Sequence, residues 1–432
     1  MLSREDNDLM CRVGPDTPQG RALRRYWTPA LQTSDLPEPG GDPRAIRLLG
    51  QDFVAFRGTD GKVGLLNEHC CHRAASLALG RVEGCAIRCL FHGWKFAADG
   101  ELLEAPNVSE EGFRRRVRQP SYPVREAGGL IWVYLGPVEM EPPFPHYPWF
   151  DLPQEHRINA YLVEEANFIQ VQEALVDSSH LNILHADGLN RGKESDLAFA
   201  ANTQPLLLAA DPRVEAEATD FGFHYAALRP NGDQVEARIA AFIAPYSVAN
   251  PNGDLWMSVV PIDDTHSIYF HVWWNANENI GLEPGRTEHL KFIGLDNSAL
   301  AAFGMTYDTI NDPDKPSRRN GFKQNREAMR QGRTFTGFNS FTQEDSAVLM
   351  SAGALKDRSN ENLCRADMAI SRLYRVHLQN AKSMLAGEEP VGVHYDPSGI
   401  IGIQGSVPPE GWQALVPNQR SKAKDRTEAS AA

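Results

Sequence analysis

Four residues of the kinds that bind metals lie in two short motifs between positions 70 and 92. Cys70 and His72 are spaced C-x-H, Cys89 and His92 are spaced C-x-x-H, and sixteen residues separate the two motifs. Each motif fits on one tight loop and offers one thiolate and one imidazole. Two thiolates on one iron and two imidazoles on the other form a [2Fe–2S] cluster of raised reduction potential. The alternative is structural zinc, but a zinc finger groups its cysteines together and its histidines together, so the spacing favours the iron–sulfur cluster.

A second group of potential ligands lies in the segment NFIQVQEALVDSSHLNILH, which contains Asp177, His180 and His185. Two neutral imidazoles and one carboxylate form a facial triad that leaves positions open on Fe(II) for O₂. On a regular α-helix the two histidines would point about 140° apart, because each residue turns about 100°. We therefore expect the helix to bulge or end between them. The alternative for each histidine is an ordinary capping or core residue.

Arg238 lies in the run VEARIAAFI, which has the composition of a strand. Its neighbours on the same strand face are small or apolar, and an unpaired charge is costly in such surroundings. One interpretation is that Arg238 binds a substrate carboxylate in a bidentate manner. The other is a structural ion pair with a nearby acidic residue, Glu215, Glu217 or Glu236. The segment TQPLLLAA offers no second cation, so a monocarboxylate fits better than a dicarboxylate.

The elements that must position these residues divide the chain into two parts. Thr17 and Pro18 offer a cap and a first helical residue, which predicts a helix over residues 17–27. From Arg44 onward, the short runs AIRLL, FVAFRG and KVGLLN alternate with turn residues and predict an antiparallel β domain. The Pro-rich segment EPPFPHYPWF, residues 141–150, cannot sustain a helix or a strand and marks the boundary.

The sequence pattern after the boundary predicts an α+β domain, that is, an antiparallel sheet with helices packed on one face. We expect helices at about residues 167–184, 341–352 and 362–384, and strands at about residues 205–210, 222–229, 235–243, 255–262 and 267–275. The predicted organisation is an N-terminal helical segment that packs on the C-terminal domain (1–43), a cluster domain (44–140), a second metal domain (141–417) and a disordered tail (418–432).

Composition excludes several classes of partner. The chain has 432 residues, with 43 basic and 56 acidic side chains and a net charge of −13, which argues against nucleic acids and anionic membranes. The N-terminus lacks a secretion signal, and the most apolar run, residues 128–138, is too short to cross a bilayer. Six cysteines in such a chain do not make a disulfide framework. We expect a cytoplasmic protein.

The strings EHCCHR and CLFHGWKF resemble the Rieske signature of the aromatic-ring-hydroxylating oxygenases. The opening VGPDTPQGRALRRYWTPAL resembles the phthalate dioxygenase group of that family, which acts on phthalate, chlorobenzoates and phenoxybenzoates and includes aryl O-demethylases. The resemblance covers nearly the whole chain. It implies an N-terminal antiparallel β Rieske domain and a C-terminal antiparallel sheet of the helix-grip type flanked by helices, with a [2Fe–2S] cluster and Fe(II) as cofactors.

The resemblance also assigns the mononuclear iron ligands. The pattern D-S-S-H-x-x-x-x-H is similar to the family's iron site, which makes His180 and His185 ligands. The third ligand is a carboxylate from far along the chain, for which Asp345, Asp357 and Asp367 are candidates. The segment FTQEDSAVLM resembles the one that supplies this ligand in the family, which favours Asp345.

Asp177 is expected to bridge the two metal centres. It lies three residues before His180 and can accept a hydrogen bond from that ring while it also meets the cluster ligand His92. In the family this bridge crosses between neighbouring subunits, so the resemblance implies a homotrimer or a stacked hexamer.

The predicted function is that of a terminal oxygenase that dihydroxylates an aromatic acid, such as 3-chlorobenzoate or phthalate. The chain has no dinucleotide-binding G-x-G-x-x-G after a strand and no second ferredoxin motif, so electrons must come from a separate NAD(P)H reductase with a flavin and a [2Fe–2S] cluster. O-demethylation of an aryl ether is the alternative within the family. A Rieske electron carrier with a docking domain is the alternative from another class, and a second iron site would argue against it.

Overall fold

The chain begins with two short capped helices. In this computed structural model, which describes residues 2–110, 112–195, 197–252, 254–409 and 411–416, α1 spans Arg4–Cys11 and α2 spans Pro18–Leu23. Thr17 Oγ1 accepts a hydrogen bond from Gly20 N, as the sequence predicts for an N-cap. The helix predicted over residues 17–27 ends early, because the aromatic and β-branched run that follows forms strand β1, Trp27–Gln32. The predicted disordered tail, residues 418–432, lies outside the described residues.

Antiparallel strands build the region that contains the two cysteine–histidine motifs. β2, β3, β4 and β9 form one sheet, β5 to β8 a second, and β1, β11 and β10 a third. The two motifs therefore lie on loops of a rigid β framework. The strands are β2 (Arg44–Leu48), β3 (Gln51–Arg57), β4 (Val63–Asn67), β5 (Arg81–Glu83), β6 (Ala86–Arg88), β7 (Lys95–Ala97), β8 (Leu102–Glu104), β9 (Ser121–Tyr122), β10 (Val124–Ala127) and β11 (Leu130–Tyr134).

The Pro-rich segment, residues 141–150, contains no helix or strand, as its composition predicts. Its aromatic side chains nevertheless pack tightly. Trp149 is fully buried, and its ring lies 6.4 Å from that of Trp132 and 5.2 Å from that of Trp256. Because Trp132 belongs to β11 and Trp256 to the second sheet, this aromatic cluster joins the two parts of the chain.

A large antiparallel sheet forms the second part, in the order β12-β18-β17-β16-β15-β14-β13, and β19 pairs with β15. In β15, Arg238 and Ala240 face the helices, whereas Ala237 and Ile239 point to the opposite face and pack against Trp412. The strands are β12 (Arg157–Glu164), β13 (Arg213–Thr219), β14 (Gly222–Asn231), β15 (Gln234–Ile243), β16 (Ser247–Asn250), β17 (Leu255–Pro261), β18 (Ser267–Trp274) and β19 (Ile403–Val407).

The four strands predicted at about 222–229, 235–243, 255–262 and 267–275 are confirmed as β14, β15, β17 and β18. The strand predicted at about 205–210 is wrong, because Gln204–Leu208 is a 3₁₀ helix. Pro205 has a fixed φ and no backbone N–H, so this apolar run cannot contribute a full ladder of hydrogen bonds. The sheet begins with the more polar β13 instead.

The helices pack over the sheet, and the Rieske-like and α+β architecture predicted from the sequence is confirmed. α3 contacts β17, and α10 and α11 contact α3. α11 also contacts α1 and α2, so the N-terminal helices lie against the second part of the chain. The helices are α3 (Phe168–Val176), α4 (Leu181–Leu184), α5 (Ala186–Gly192), α6 (Ala198–Thr203), α7 (Gly285–Ile293), α8 (Asn297–Phe303), α9 (Arg326–Arg330), α10 (Phe341–Ser351) and α11 (Met368–Ala386).

Within the described ranges, no helix combines the length and the apolar character needed to cross a membrane.

Candidate metal centres

The two cysteine–histidine motifs form a pair of facing loops. Cys70 and His72 follow β4, and Cys89 and His92 lie between β6 and β7. Each loop is closed by backbone hydrogen bonds, from Cys70 N to Ala75 O at 2.9 Å in the first and from Cys89 N to Trp94 O at 2.8 Å in the second. Both cysteines are buried, and the two imidazole ring centroids lie 4.5 Å apart. The folding of the two hairpins therefore brings all four potential ligands together.

The side chains of these loops fit a metal cluster. The Nδ1 atom of His92 is buried and has no hydrogen-bond partner among the described residues, which is costly unless another group binds it. Gly93 has a φ of +73° that favours glycine and lets the second loop turn tightly. His72 stacks on Trp94 with ring centroids 4.3 Å apart and nearly parallel planes. A [2Fe–2S] cluster held by Cys70, Cys89 and the two imidazoles would satisfy the unpartnered nitrogen.

Gln119 fixes the first loop from the outside, a contact that the sequence analysis missed. Its amide oxygen accepts a hydrogen bond from Cys71 N at 2.7 Å, and its Nε2 donates to Asn67 O and His69 O. Gln119 lies immediately before Pro120 and is almost fully buried. Gln119 therefore fixes the backbone on both sides of Cys70. The spacing of the motif residues gives no indication of these contacts.

The second centre lies where a helix is interrupted. α3 ends at Val176, and His180 precedes the single turn α4, which ends at Leu184. His185 follows with φ −98° and ψ 17°, outside helical geometry. The chain is thus not one helix over residues 167–184, and the helical end expected before the second histidine is present. This break lets both rings point into the same space.

Asp345 of α10 meets both histidines. Its Oδ1 atom lies 3.2 Å from His185 Nε2 and 3.6 Å from His180 Nε2, and the three ligand atoms lie within 4.8 Å of one another. Burial favours the neutral acid, but the proximity of His185 holds the pKa of the Asp345 carboxyl below its usual range. Two imidazoles and an ionised carboxylate on one face of a metal site form the set of donors that suits Fe(II).

The other two candidate carboxylates lie elsewhere. Asp357 caps the turn at Ser359 and lies 3.5 Å from Arg4. Asp367 accepts a hydrogen bond from Cys364 N at 2.7 Å. Neither of them approaches the histidine pair, so Asp345 is the carboxylate that the fold brings to His180 and His185.

Each histidine of the second centre is held through its other ring nitrogen. His185 Nδ1 lies 2.8 Å from Glu344 Oε2, and Glu344 Oε1 accepts a hydrogen bond from Thr336 Oγ1. His180 Nδ1 lies 3.3 Å from Asp177 Oδ2. Such contacts fix the tautomer and leave Nε2 for a metal. Glu344, adjacent to Asp345 in the sequence, is a positioning residue that the sequence analysis missed.

The three potential iron ligands border a cavity with mostly apolar walls. Its polar lining includes Glu164, Tyr225, Arg238, Asn252 and His271. The apolar lining includes Leu162, Leu175, Leu255, Met257 and Trp273. A cavity of this kind suits an aromatic ring with one polar substituent.

Arg238 lines this cavity and is 3% exposed. Its guanidinium donates to the carbonyl oxygen of Asn202 and to the side-chain oxygens of Gln404 and Asn252. Burial, reinforced by the charge of Arg229, lowers the pKa of Arg238 to about 9. All three acceptors are neutral, so the positive charge has no carboxylate counter-ion in the contacts of the described residues.

The described residues contain no salt bridge between Arg238 and any of the three acidic residues that the ion-pair alternative requires. Glu215 accepts a hydrogen bond from Trp412 and Glu217 from Gln413, on the sheet face opposite to the cavity. Glu236 lies on the same face as Arg238 and accepts a hydrogen bond from Ser406, so its charge acts on Arg238 without direct contact.

Comparisons with known proteins agree with both centres. A Rieske [2Fe-2S] domain model matches residues 26–123, and a model described as LigXa C-terminal domain like matches residues 133–429. The phthalate 4,5-dioxygenase oxygenase subunit of Pseudomonas putida is 37% identical over 91% of this chain and 89% of that protein. The 3-chlorobenzoate-3,4-dioxygenase oxygenase subunit of Comamonas testosteroni is 32% identical over 91% of this chain and 92% of that protein. The chain belongs to the Rieske ring-hydroxylating oxygenases.

This Rieske oxygenase shares its fold with dicamba monooxygenase, as seen in the crystal structure of that enzyme bound to dicamba. The TM-score is 0.57 at 16% identity, with 84% of this chain and 99% of the other covered. The family membership and the His180, His185 and Asp345 group confirm the predicted cofactors, a [2Fe–2S] cluster and Fe(II). The chain is an oxidoreductase, and the electron-carrier alternative is wrong.

Proposed function

We propose that this Rieske oxygenase dihydroxylates an aromatic acid, with the monocarboxylate 3-chlorobenzoate as the best candidate and the dicarboxylate phthalate as the next. The observation that carries the proposal is the guanidinium of Arg238, which lies without a carboxylate partner in the same cavity as His180, His185 and Asp345. A buried, uncompensated cation beside an apolar chamber favours an anionic aromatic ligand.

Each polar group of the cavity has a place in this proposal. When bound, the cluster supplies single electrons and Fe(II) activates O₂. Cys70, Cys89, His72 and His92 are the residues that would hold the cluster. The substrate carboxylate pairs with Arg238, and the apolar walls hold the ring and exclude water. Arg238 lies on β15, whereas His271, whose ring feels the charge of Asp345, lies on β18. The substrate carboxylate would therefore be held away from the proposed iron ligands.

The charges near the anchor favour one carboxylate over two. The nearest other arginine, Arg229, is fully buried and donates to the backbone oxygens of Ala209 and Ser178. Its side chain does not belong to the cavity lining. A dicarboxylate such as phthalate would therefore find no second arginine or lysine in the described lining of the cavity.

The proposal requires neighbouring subunits in a homotrimer or a stacked hexamer. Asp177 accepts from His180 on one side, and we propose that it meets His92 of the partner subunit on the other. Exposed apolar side chains support this contact: Leu90 and Phe91 beside His92 are 59% and 55% exposed, and Ile183 beside the iron histidines is 51% exposed. Neighbouring exposed apolar residues form the kind of patch that marks a protein–protein contact.

Electrons would come from a separate NAD(P)H reductase that contains a flavin and a [2Fe–2S] cluster. The sequence has no dinucleotide-binding motif of its own. This dependence also supports a cytoplasmic location, where NAD(P)H is available.

Binding of matched ligand pairs tests the proposed substrate class. Removal of one partner of a buried charge pair costs on the order of 2 to 5 kcal/mol, so Arg238→Met should raise the Kd of 3-chlorobenzoate roughly thirty-fold or more. The Kd of 3-chlorobenzamide should hardly change. Arg318→Met, at an exposed arginine of the same domain, serves as the control. Equal weakening of acid and amide would remove the support for an aromatic acid.

Product analysis separates the two reactions of the family. The holoenzyme with a compatible reductase, NADH and O₂ is offered benzoates, phthalates and methoxybenzoates. A cis-diol from a benzoate supports the proposal. Release of formaldehyde from a methoxybenzoate, without diol from any acid, would make O-demethylation the function instead.

A further inference from the structure

Glu164 is a buried carboxyl group in the iron cavity that has no assigned role. It ends strand β12, is 2% exposed and lines the same cavity as His180, His185 and Asp345. Its Oε1 atom accepts a hydrogen bond from Ser346 Oγ. Its Oε2 atom is buried and has no hydrogen-bond partner among the described residues.

Among the described residues, no cation forms an ion pair with Glu164. The basic group whose charge acts on it, Lys315, pairs through Nζ with Oε2 of the adjacent Glu165. Asp345 on α10 contributes a negative charge, and Tyr269 on β18 is neutral. A lone buried carboxylate is costly in such surroundings, so the neutral acid is favoured. Burial raises the pKa of Glu164 to about 8, although the hydrogen bond from Ser346 acts to lower it.

Two tyrosines and one histidine of the same cavity wall are poorer proton donors than Glu164. Tyr225 donates its hydroxyl hydrogen to Leu175 O, and Tyr269 donates to Met257 Sδ. Burial lowers the pKa of His271 to about 3, so its ring is neutral. Glu164 is thus distinguished by an acidic proton on an atom that no described side chain binds.

The proposed reaction consumes protons in this closed cavity. Dihydroxylation combines the ring with one O₂, two electrons and two protons to give a cis-diol, and the electrons come from the reductase. We propose that Glu164 is the acid that delivers these protons, one at a time, from Oε2. The Oε2–H bond breaks, the proton becomes the hydrogen of a product hydroxyl, and the carboxylate keeps the hydrogen bond from Ser346 on Oε1. Water then returns a proton to Oε2. This inference rests on the proposed oxygenation.

Infrared spectroscopy tests the acid without any turnover. At pH 7, the metal-free protein and the iron-loaded protein should both show the C=O stretch of a protonated carboxyl group that shifts in D₂O. The band should be absent from Glu164→Gln and unchanged in Glu327→Gln, a substitution at an exposed carboxylate of helix α9. Ser346→Ala, which removes the hydrogen bond to Oε1, should move the band. Absence of the band from either form of the wild-type protein, or a band that survives Glu164→Gln, would overturn the inference.

Turnover of the reconstituted holoenzyme provides the second test. Glu164→Gln keeps the shape of the side chain, so the iron content and the Kd of 3-chlorobenzoate should match those of the wild type. Its kcat should fall roughly 100-fold, with more O₂ consumed per product and a larger solvent isotope effect, and Glu164→Asp should recover part of the rate. Wild-type rate and coupling in Glu164→Gln, or loss of its iron, would refute the role. Failure of the proposed function looks different: the band is present, but the wild-type enzyme oxygenates no aromatic acid.

Discussion

His185 Nδ1 lies 2.8 Å from Oε2 of Glu344, and both side chains are buried. This contact leaves Nε2 of His185 directed toward Asp345. Glu344→Ala should weaken Fe(II) binding about 10- to 100-fold, because outer partners of metal-binding histidines contribute that much to affinity. Competition with a chromophoric chelator measures the change. Glu327→Ala, in the exposed helix α9, should bind iron like the wild type, and unchanged affinity in Glu344→Ala would show that the contact does not position the ring.

Asp177→Asn should retain both metals and lose nearly all turnover. The carboxylate contacts His180 Nδ1 at 3.3 Å and accepts hydrogen bonds from Ser179 N and Oγ, so the amide can preserve the local loop but not the proposed bridge between subunits. Rapid-mixing measurements should show normal reduction of the cluster by dithionite and slow oxidation by the substrate-bound iron site. Loss of the mononuclear iron from this variant would instead identify Asp177 as a ligand.

Conversion of His72 and His92 to cysteine should lower the reduction potential of the cluster by roughly 250 mV or more. Four thiolates place more negative charge on the cluster than two thiolates and two imidazoles do. Redox titration followed by electron paramagnetic resonance measures the shift. Cys85→Ser, at an exposed cysteine outside the two ligand loops, should leave the potential unchanged. A colourless wild-type protein that contains zinc would contradict the cluster itself.

Glu164 should make the stability of the metal-free protein depend on pH. Its pKa is raised from 4.5 to about 8 in the fold, so the folded state retains a proton that the unfolded chain has lost. Its contribution is therefore present below about pH 4.5 and is lost as the pH rises toward 8, at about 1.4 kcal/mol per pH unit at most. The Tm of Glu164→Gln, relative to that of the wild type, should rise between pH 5 and pH 8. A constant difference would mean that Glu164 is ionised throughout.

The proposed metal ligands could be predicted from the sequence because short loops determine their geometry. Cys70 and His72, and likewise Cys89 and His92, need only a hairpin to come together. His180 and His185 required one further argument, that a regular helix would point them apart. Asp345 depended on the family resemblance, since nothing in the local sequence distinguishes it from Asp357 or Asp367.

Residues whose contact partners lie far away in the sequence were not predicted. Glu164 meets Ser346, which lies 182 residues later in the chain, and the only local signal was an acidic residue at the end of the apolar run YLV. Glu344 is the sequence neighbour of Asp345, but its contact with His185 depends on the fold and could not be predicted from the sequence. The uncompensated charge of Arg238 likewise follows from contacts with Asn202 and Gln404, which depend on the packing of separate segments.

Gln404 lies on β19, the last strand of the described chain, and its side chain helps to hold Arg238. The proposed substrate anchor is therefore supported by a segment that contributes no proposed ligand to either metal centre. Under the proposed function, substitutions in residues 403–407 should alter which acids are accepted while the oxygen chemistry stays intact. The C-terminal strand would then separate the choice of substrate from the chemistry at the metal centres. A mutant library confined to this strand is the corresponding experiment.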